Sequence, residues 1–253
     1  MTAKLPTYVI NLERSVDRRI FMEVHLSEFP ELECQFIPAV DGKLLTPEEL
    51  AEKYDEHKTT QLLGRALNTG EIGCALSHIG CYRKLLVERK QFALVLEDDI
   101  LISSFLPQIL PSLFQWLDTD QPRVVLLTPM RRYWLFPKKT IGFHYSLHKR
   151  CKMTVSAAGY LINASAADIM ARRLFTVHTV ADHWQYFAEK LGLDVRVLIP
   201  HCVSFRPCSR TDSTIGGSRH YGRREKKLFR KLKNIWYRPL EHLGLIRFGK
   251  RLW

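Results

Sequence analysis

The sequence lacks the glycine-rich patterns that mark the commonest phosphate-binding folds. Neither GxGxxG nor GxxxxGK[ST] occurs in its 253 residues. Their absence argues against a dinucleotide-binding fold and a P-loop enzyme, and it disfavours a nucleotidyltransferase with a glycine-rich loop near its first strand. The six cysteines form no CxxC pair and no zinc-type spacing. We therefore expect reduced, mostly buried thiols without a disulfide framework.

Long apolar runs are also missing. No stretch approaches the roughly 18 residues that span a bilayer. Near the N-terminus Pro6, Thr7 and Asn11 interrupt the apolar residues, so the continuous apolar segment of a secretory signal is absent. These features predict a cytoplasmic protein.

Acidic residues are scarce in one region, and this gives the chain its formal net charge of +12. Residues 219–253 contain 12 Lys and Arg against Glu225 and Glu241, a net of +10. The preceding 218 residues carry a net of only +2. This division excludes a uniformly basic protein and predicts a near-neutral domain, 1–218, followed by a basic tail, 219–253.

Apolar runs and helical periodicities alternate along the near-neutral part. Strands are predicted at 7–12, 34–40, 92–96, 123–127 and 194–199, and helices at 15–29, 47–56, 70–89, 104–117, 164–175 and 182–191. In the first helix Val16, Ile20 and Val24 form one apolar stripe. Alternation at these lengths indicates an α/β domain with a largely parallel sheet.

Three acids, Glu97, Asp98 and Asp99, directly follow the wholly apolar strand 92–96. Ligands of open α/β sheets bind beyond the carboxyl ends of the strands, so these acids are expected at the rim of a crevice. Oxygen ligands of this kind suit Mg²⁺ or Mn²⁺ together with a substrate diphosphate. The alternative is an acidic turn that caps the next helix.

Two further segments accompany the acids. The first predicted strand leads into a turn with Arg14, Ser15 and Arg18, whose amides and guanidinium groups suit an anionic or nucleotide ligand. Exposed basic residues on a first helix are the alternative. The helix before the acidic strand carries Ser77 and His78 opposite an apolar face, where a histidine is more often structural than catalytic.

Together, the segments YVINLERSVDRR, GEIGCALSHIGCYRKLL, FALVLEDDI and SAAGYLINASAA resemble glycosyltransferase family 25. This family includes bacterial lipooligosaccharide galactosyltransferases and collagen galactosyltransferase domains. The resemblance covers residues 8–215. It implies a GT-A type fold, a nucleotide-sugar donor that is commonly UDP-galactose, and transfer with inversion at the anomeric carbon.

The resemblance also implies roles for individual residues. Asp99 would bind Mn²⁺ or Mg²⁺, with Asp98 and His201 as further candidate ligands, while Glu97 or Asp98 would face the donor ribose or sugar. Other donor contacts would come from the first strand and turn, from the helix before the acids, and from the small residues at 156–160. These candidates are Val9, Asn11, Leu12, Arg14, Ser15, Arg18, Ser77 and Gly159.

Inversion in a single displacement needs a general base for the acceptor hydroxyl. Asp182 is our candidate because it opens a predicted helix beside aromatic residues that suit the apolar faces of sugars. An ordinary helix N-cap is the alternative. His183 and His201 are further candidates, either as base or as an additional metal ligand.

The basic tail combines an apolar stripe with crowded basic residues, a pattern typical of an interfacial membrane helix. The stripe consists of Leu228, Phe229, Leu232, Ile235 and Trp236. Anionic lipid attracts each nearby Lys or Arg by about 1 kcal/mol. We therefore expect the enzyme at the inner face of the plasma membrane, where a lipooligosaccharide acceptor is presented. A helix packed on the core with a solvated basic face is the alternative, and a non-catalytic polyanion- or lipid-binding module is the competing function.

The membrane interpretation predicts that the full-length chain pellets with anionic vesicles, while a chain ending at Gly217 stays in the supernatant because its basic tail is gone. Vesicle co-sedimentation at low and high salt measures this. Equal pelleting of the two chains on anionic vesicles would refute the anchor.

Overall fold

The computed structural model describes residues 4–130, 132–142, 144–151, 156–207 and 246–248. The predicted tail helix at 228–236 lies outside the described residues. Within the tail, the described residues Ile246–Phe248 form a strand. In the described part of the chain, no helix combines the length and apolar character needed to cross a bilayer.

The elements alternate as the sequence predicts. The first half of the chain forms β1 (Leu5–Asn11), α1 (Val16–Leu26), β2 (Leu32–Pro38), α2 (Pro47–Lys53), α3 (Glu56–Leu63), α4 (Thr69–Val87), β3 (Phe92–Glu97) and β4 (Ile100–Ile102). The second half forms α5 (Leu106–Leu117), β5 (Arg123–Leu126), β6 (Arg132–Gly142), β7 (Tyr145–Arg150), β8 (Gly159–Asn163), α6 (Ala164–Arg173), α7 (Trp184–Lys190), β9 (Asp194–Ile199), β10 (Val203–Phe205) and β11 (Ile246–Phe248).

Nine strands form one sheet in the order β11-β6-β7-β9-β5-β8-β3-β1-β2. Strands β1, β2 and β3 are parallel to one another, as are β5 and β9. Strand β8 runs antiparallel between β3 and β5, so those two run in the same direction. The mostly parallel centre is confirmed, and antiparallel β6, β7 and β11 extend one side.

Helices cover both faces of the sheet, which accounts for the continuous apolar character of β3. Ala93 and Val95 of β3 pack on the face covered by α4, α6 and α7. Leu94 and Leu96 pack on the opposite face, against α1 and α5. All four side chains are fully buried.

Helix α1 buries a different face from the one suggested by its apolar stripe. Met22 and Leu26 are buried, whereas Val16, Ile20 and Val24 are 55%, 54% and 65% exposed. Met22 and Leu26 are themselves four residues apart, so the spacing alone does not choose between the two stripes. The stripe of Val16, Ile20 and Val24 therefore faces solvent, and Met22 and Leu26 make the core contact of this helix.

A helix and several strands have no counterpart among the predicted elements. Helix α3 begins where the predicted helix at 47–56 ends and was not predicted; Asp55 caps it by accepting a hydrogen bond from the Lys58 amide at 2.8 Å. The β6–β7 hairpin has long exposed stretches and no continuous apolar run. Strand β8 lies between the strands predicted at 123–127 and 194–199, where the sequence pattern predicts no strand.

Two glycines allow the chain after β2 to pack against the start of α4. A Cβ on Gly42 would lie 1.7 Å from the Thr69 oxygen, and one on Gly73 would lie 2.4 Å from the Val40 oxygen. Ser77 joins the same segments, accepting from the Val40 amide at 2.9 Å and donating to the Gly73 carbonyl at 2.7 Å. A capping box between Asn68 and Glu71 fixes the start of the helix.

We predict opposite effects from the same substitution at two positions of α4. Gly73→Ala should lower the free energy of unfolding by about 1 to 3 kcal/mol, because the new Cβ meets backbone atoms that must move. Gly80→Ala should raise it by about 0.5 to 1 kcal/mol, because no atom lies within 4 Å of that Cβ and alanine favours helix. Urea denaturation measures both, and equal changes would contradict the packing argument.

Candidate active site

The carboxyl ends of the parallel strands meet at one edge of the sheet, and three acids lie there. Glu97 is the last residue of β3, and Asp98 and Asp99 form the turn into β4. This turn leads into a short strand that pairs with β10 and does not cap a helix, so the alternative of an acidic helix cap is wrong. The acids are placed where ligands of α/β sheets bind.

Asp98 connects this turn to the first strand and helix. One carboxylate oxygen accepts a hydrogen bond from Asn11 Nδ2 at 2.7 Å, and the other accepts from Arg18 Nη1 at 2.9 Å. Asp98 is buried, with 7% of its surface exposed. Charge-assisted bonds in such surroundings are stronger than neutral ones, so the three residues form a fixed unit.

Asp99 is the acid in this turn with an uncommitted oxygen. Its Oδ1 is buried without a hydrogen-bond partner, and its Oδ2 lies 3.7 Å from Arg18 Nη1. Burial, followed by the neighbouring charge of Glu97, raises the pKa of this carboxyl to about 6. Arg18 lies on the Oδ2 side only, and a buried charged oxygen without a partner is costly, so a cation at Oδ1 would supply the missing partner.

The candidate metal ligands differ in whether their oxygen or nitrogen atoms are already hydrogen-bonded. Asp99 fits an oxygen-coordinated divalent cation, since its buried Oδ1 has no other partner. Both oxygens of Asp98 are engaged by Asn11 and Arg18, so its geometry is that of a positioning residue and the expected ligand role does not fit.

His201 was the third candidate ligand. Its Nε2 accepts a hydrogen bond from the Met130 amide at 3.3 Å, and burial lowers the pKa of the ring to about 4. Its Nδ1 is buried without a hydrogen-bond partner, so His201 keeps one nitrogen that a metal could use.

Glu97 faces helix α4 and a chain of hydrogen-bonded side chains. Its Oε1 lies 3.6 Å from His78 Nε2, and the other ring nitrogen of His78 lies 2.8 Å from the Tyr160 hydroxyl. Tyr160 in turn donates to the Tyr82 hydroxyl at 2.9 Å. Cys74, one turn before His78, has the pKa of its thiol raised by burial and by the charges of Glu97 and Asp182. His78 therefore lies beside Glu97, with one ring nitrogen in this hydrogen-bonded chain and the other facing the carboxylate.

Asp182 lies near the acids, and the segment before β8 forms hydrogen bonds with both. Asp182 Oδ2 accepts from the Ser156 amide at 3.0 Å, and Ala158 O accepts from the Glu97 amide at 2.9 Å. Helix α7 begins at Trp184 with His183 at its N-cap position. Asp182 therefore precedes the cap, and the N-cap alternative for it is wrong.

Gly159 and His183 have packing partners of their own. A Cβ on Gly159 would lie 2.9 Å from Val203 Cγ1, so Val203 fills the space that we expected for the donor. His183 Nδ1 lies 2.7 Å from the Thr179 hydroxyl, and the ring stacks on Tyr186. Burial and the charge of Arg150 lower the pKa of His183, which keeps the ring neutral.

The remaining donor candidates divide by their accessibility. Val9 is fully buried in the core and Ser77 is 3% exposed with its hydroxyl engaged, so direct donor contact through either side chain is excluded. Arg14 is paired with Asp41. Leu12 and Ser15 form the turn after β1, where the Ser15 amide donates to the Leu12 carbonyl at 2.8 Å. This turn and the Arg18 side chain border the acids.

One signal for the missed part of the site was present in the sequence. Cys74 and His78 are four residues apart on a predicted helix, which places them on one face. Their shared neighbour Glu97 follows the next strand, and the hydroxyls of Tyr82 and Tyr160 come from a helix and a strand far apart in sequence. No spacing rule joins these residues.

Comparison with known proteins identifies the family. Residues 4–184 match the model of "Glycosyltransferase family 25 (LPS biosynthesis protein)", which is more than half of the chain. The chain therefore belongs to glycosyltransferase family 25.

Curated relatives carry galactosyltransferase names. Procollagen galactosyltransferase 1 of Danio rerio is 37% identical over 170 residues, which are 65% of this chain and 28% of that protein. Procollagen galactosyltransferase 2 of Mus musculus is 33% identical over 210 residues, or 72% of this chain and 32% of that protein. The chain thus spans about a third of the length of these relatives.

Two solved structures are also similar to this chain. A glycosyltransferase involved in the glycosylation of the major capsid of PBCV-1 aligns with a TM-score of 0.42 and 10% identity, covering 83% of this chain and 96% of that one. Mannose-1-phosphate geranyltransferase from Thermus thermophilus aligns with a TM-score of 0.41 and 12% identity, covering 81% of this chain and 75% of that one.

The raised pKa of Asp99 predicts a pH-dependent stability. Because its folded-state pKa of about 6 exceeds the ordinary 3.8, the stability it contributes in acid is lost as the pH rises through 6. In chelator at pH 7.5, Asp99→Asn should therefore be more stable than the wild type by about 2 to 3 kcal/mol, with the difference shrinking toward zero at pH 4.

Urea denaturation at the two pH values tests this prediction. Asp120→Asn, at an exposed acid in the loop after α5, is the control and should change little at either pH. A gain for Asp99→Asn that is the same at pH 4 and pH 7.5 would contradict the burial argument.

Proposed function

We propose that this chain is an inverting, metal-assisted galactosyltransferase of GT-A type that uses UDP-galactose as its donor. The observation that supports this most strongly is the buried, unpartnered oxygen of Asp99 at the carboxyl edge of the sheet in a family 25 chain. The galactosyltransferase names of the relatives favour galactose as the transferred hexose.

The donor diphosphate would lie over the acid turn. Asp99 would hold Mn²⁺ or Mg²⁺, which when bound offsets the charge on the departing diphosphate. The turn after β1 lies beside Arg18, whose guanidinium lies between Asp98 and Asp99. Arg18 would orient the nucleotide, and Asn11 would keep Asp98 and Arg18 in position.

The acceptor hydroxyl needs a base on the opposite side of the sugar from the diphosphate. Asp182 is our candidate because it is half-buried and lies close enough to Glu97 and Cys74 for both acids to perturb the same thiol. The Ser156 amide fixes one of its oxygens. His183 is the second candidate, since its lowered pKa leaves a neutral ring that can accept a proton.

The acceptor we propose is a sugar hydroxyl of a lipooligosaccharide. The words "LPS biosynthesis protein" in the description of the matching family model support a glycolipid acceptor. The basic tail 219–253 would hold the enzyme at the anionic inner leaflet, where that acceptor is presented. The names of the relatives suggest a collagen acceptor instead, and acceptor assays distinguish the two.

Donor turnover measures the proposed activity directly. Full-length protein with Mn²⁺ or Mg²⁺ should release UDP from UDP-galactose faster than from UDP-glucose or the N-acetyl forms, with lipooligosaccharide as acceptor. Asp99→Ala should lower UDP release by at least a hundredfold, since it removes the ligand that positions the charge on the leaving group. Asp182→Asn should lower kcat with little change in the donor KM.

One control variant and three outcomes that would contradict the proposal complete this test. Asp120→Asn should retain full activity. Release that is unchanged in Asp99→Ala would refute the metal assignment, and transfer only to procollagen would refute the glycolipid acceptor. Salt-dependent binding to polyanions with no turnover of any donor would instead favour a non-catalytic binding module.

A further inference from the structure

A thiol, an imidazole and a carboxylate converge beside the acid turn. Cys74 and His78 lie one helical turn apart on α4 and face Glu97 at the end of β3. The ligand atoms of the three side chains all lie within 4.8 Å of one another. Among the residues that the structure describes, no other group of three His, Cys, Asp or Glu side chains meets this condition.

Hydrogen bonds determine which nitrogen of His78 faces this cluster. The Tyr160 hydroxyl donates to Tyr82, so its oxygen is free to accept from His78 Nδ1–H. In that tautomer Nε2 carries a lone pair directed toward Glu97 Oε1, at 3.6 Å. Nε2 is buried and has no hydrogen-bond partner. In this tautomer the lone pair and the carboxylate repel each other, and a metal cation bound by both atoms would remove that repulsion.

The spacing suits such a cation. Two nitrogen or oxygen ligands of a tetrahedral zinc ion, each about 2.0 to 2.1 Å from the metal, lie about 3.4 Å apart. The observed 3.6 Å between His78 Nε2 and Glu97 Oε1 is close to that value. Tyr160 also supplies the outer hydrogen bond that commonly fixes the tautomer of a metal-bound histidine.

We propose that Cys74 Sγ, His78 Nε2 and Glu97 Oε1 bind a zinc-class divalent ion. The mixed sulfur, nitrogen and oxygen donors select Zn²⁺ or Co²⁺ over Mg²⁺ and Mn²⁺, which prefer oxygen ligands alone. The Glu97 side chain is 29% exposed, so the fourth position opens toward the crevice and takes water. This site is separate from the one assigned to Asp99, and it stands whether or not the chain transfers galactose.

Cobalt absorption tests this site without any activity assay. Full-length protein, reduced with a phosphine and freed of metal with chelator, is titrated with CoCl₂. We expect a thiolate-to-cobalt charge-transfer band in the near ultraviolet that saturates at one equivalent and disappears when ZnCl₂ is added. Cys74→Ser should abolish the band, and His78→Gln should weaken cobalt binding by at least tenfold.

Two control variants make the outcome specific. Cys34→Ser removes another half-buried thiol and should keep the band. Asp99→Ala should also keep it, although that variant is expected to lower UDP release by at least a hundredfold, so the two proposals fail independently. Circular dichroism verifies that each variant is folded. No band in the wild type, a band that survives Cys74→Ser, or a band lost in Cys34→Ser would overturn the proposal.

Discussion

The candidate site depends on one buried carboxylate. Asp98 accepts hydrogen bonds from Asn11 and Arg18, and these bonds join the turn after β3 to the turn after β1. With Asp98 engaged in this way, the backbone of the turn directs Glu97 toward α4 and leaves Asp99 with a free oxygen. Three adjacent acids thereby acquire three different surroundings, which is the usual means by which a protein gives chemically identical groups separate roles.

The parts of the fold that were predictable are those in which burial dictates the sequence pattern. Strand β3 is covered on both faces, so every position from Ala93 to Leu96 must be apolar and the strand is evident. Because the strand is evident, its carboxyl end is evident too, and the acids that follow it could be predicted at the edge of the sheet. Patterns that allow two solutions were less informative: the stripes on α1 containing Val16 and Met22 are both apolar, and only the packing against the sheet decides which is buried.

The parts that were not predictable depend on contacts between distant residues. Strand β8 lies between two strands that precede it in the chain, and the exposed β6–β7 hairpin has no apolar run to mark it. The hydroxyl chain from Tyr82 through Tyr160 to His78 joins a helix to a strand some 80 residues later. Likewise, Ser77 was expected near the donor, but its hydroxyl joins two backbone segments that no local rule brings together.

The position of β8 has a consequence for the order in which the sheet assembles. Strands β2, β1 and β3 and the first residue of the acid turn are complete once residue 98 has been synthesised, so the bonds from Asn11 and Arg18 to Asp98 can form on this half alone. Strand β5 has no partner in that half, because β8, ending at Asn163, must enter between β5 and β3. Contacts of such long sequence separation form late. A ribosome-bound chain would therefore carry its acid turn before it has a closed sheet, and β8 is the strand that unites the two halves.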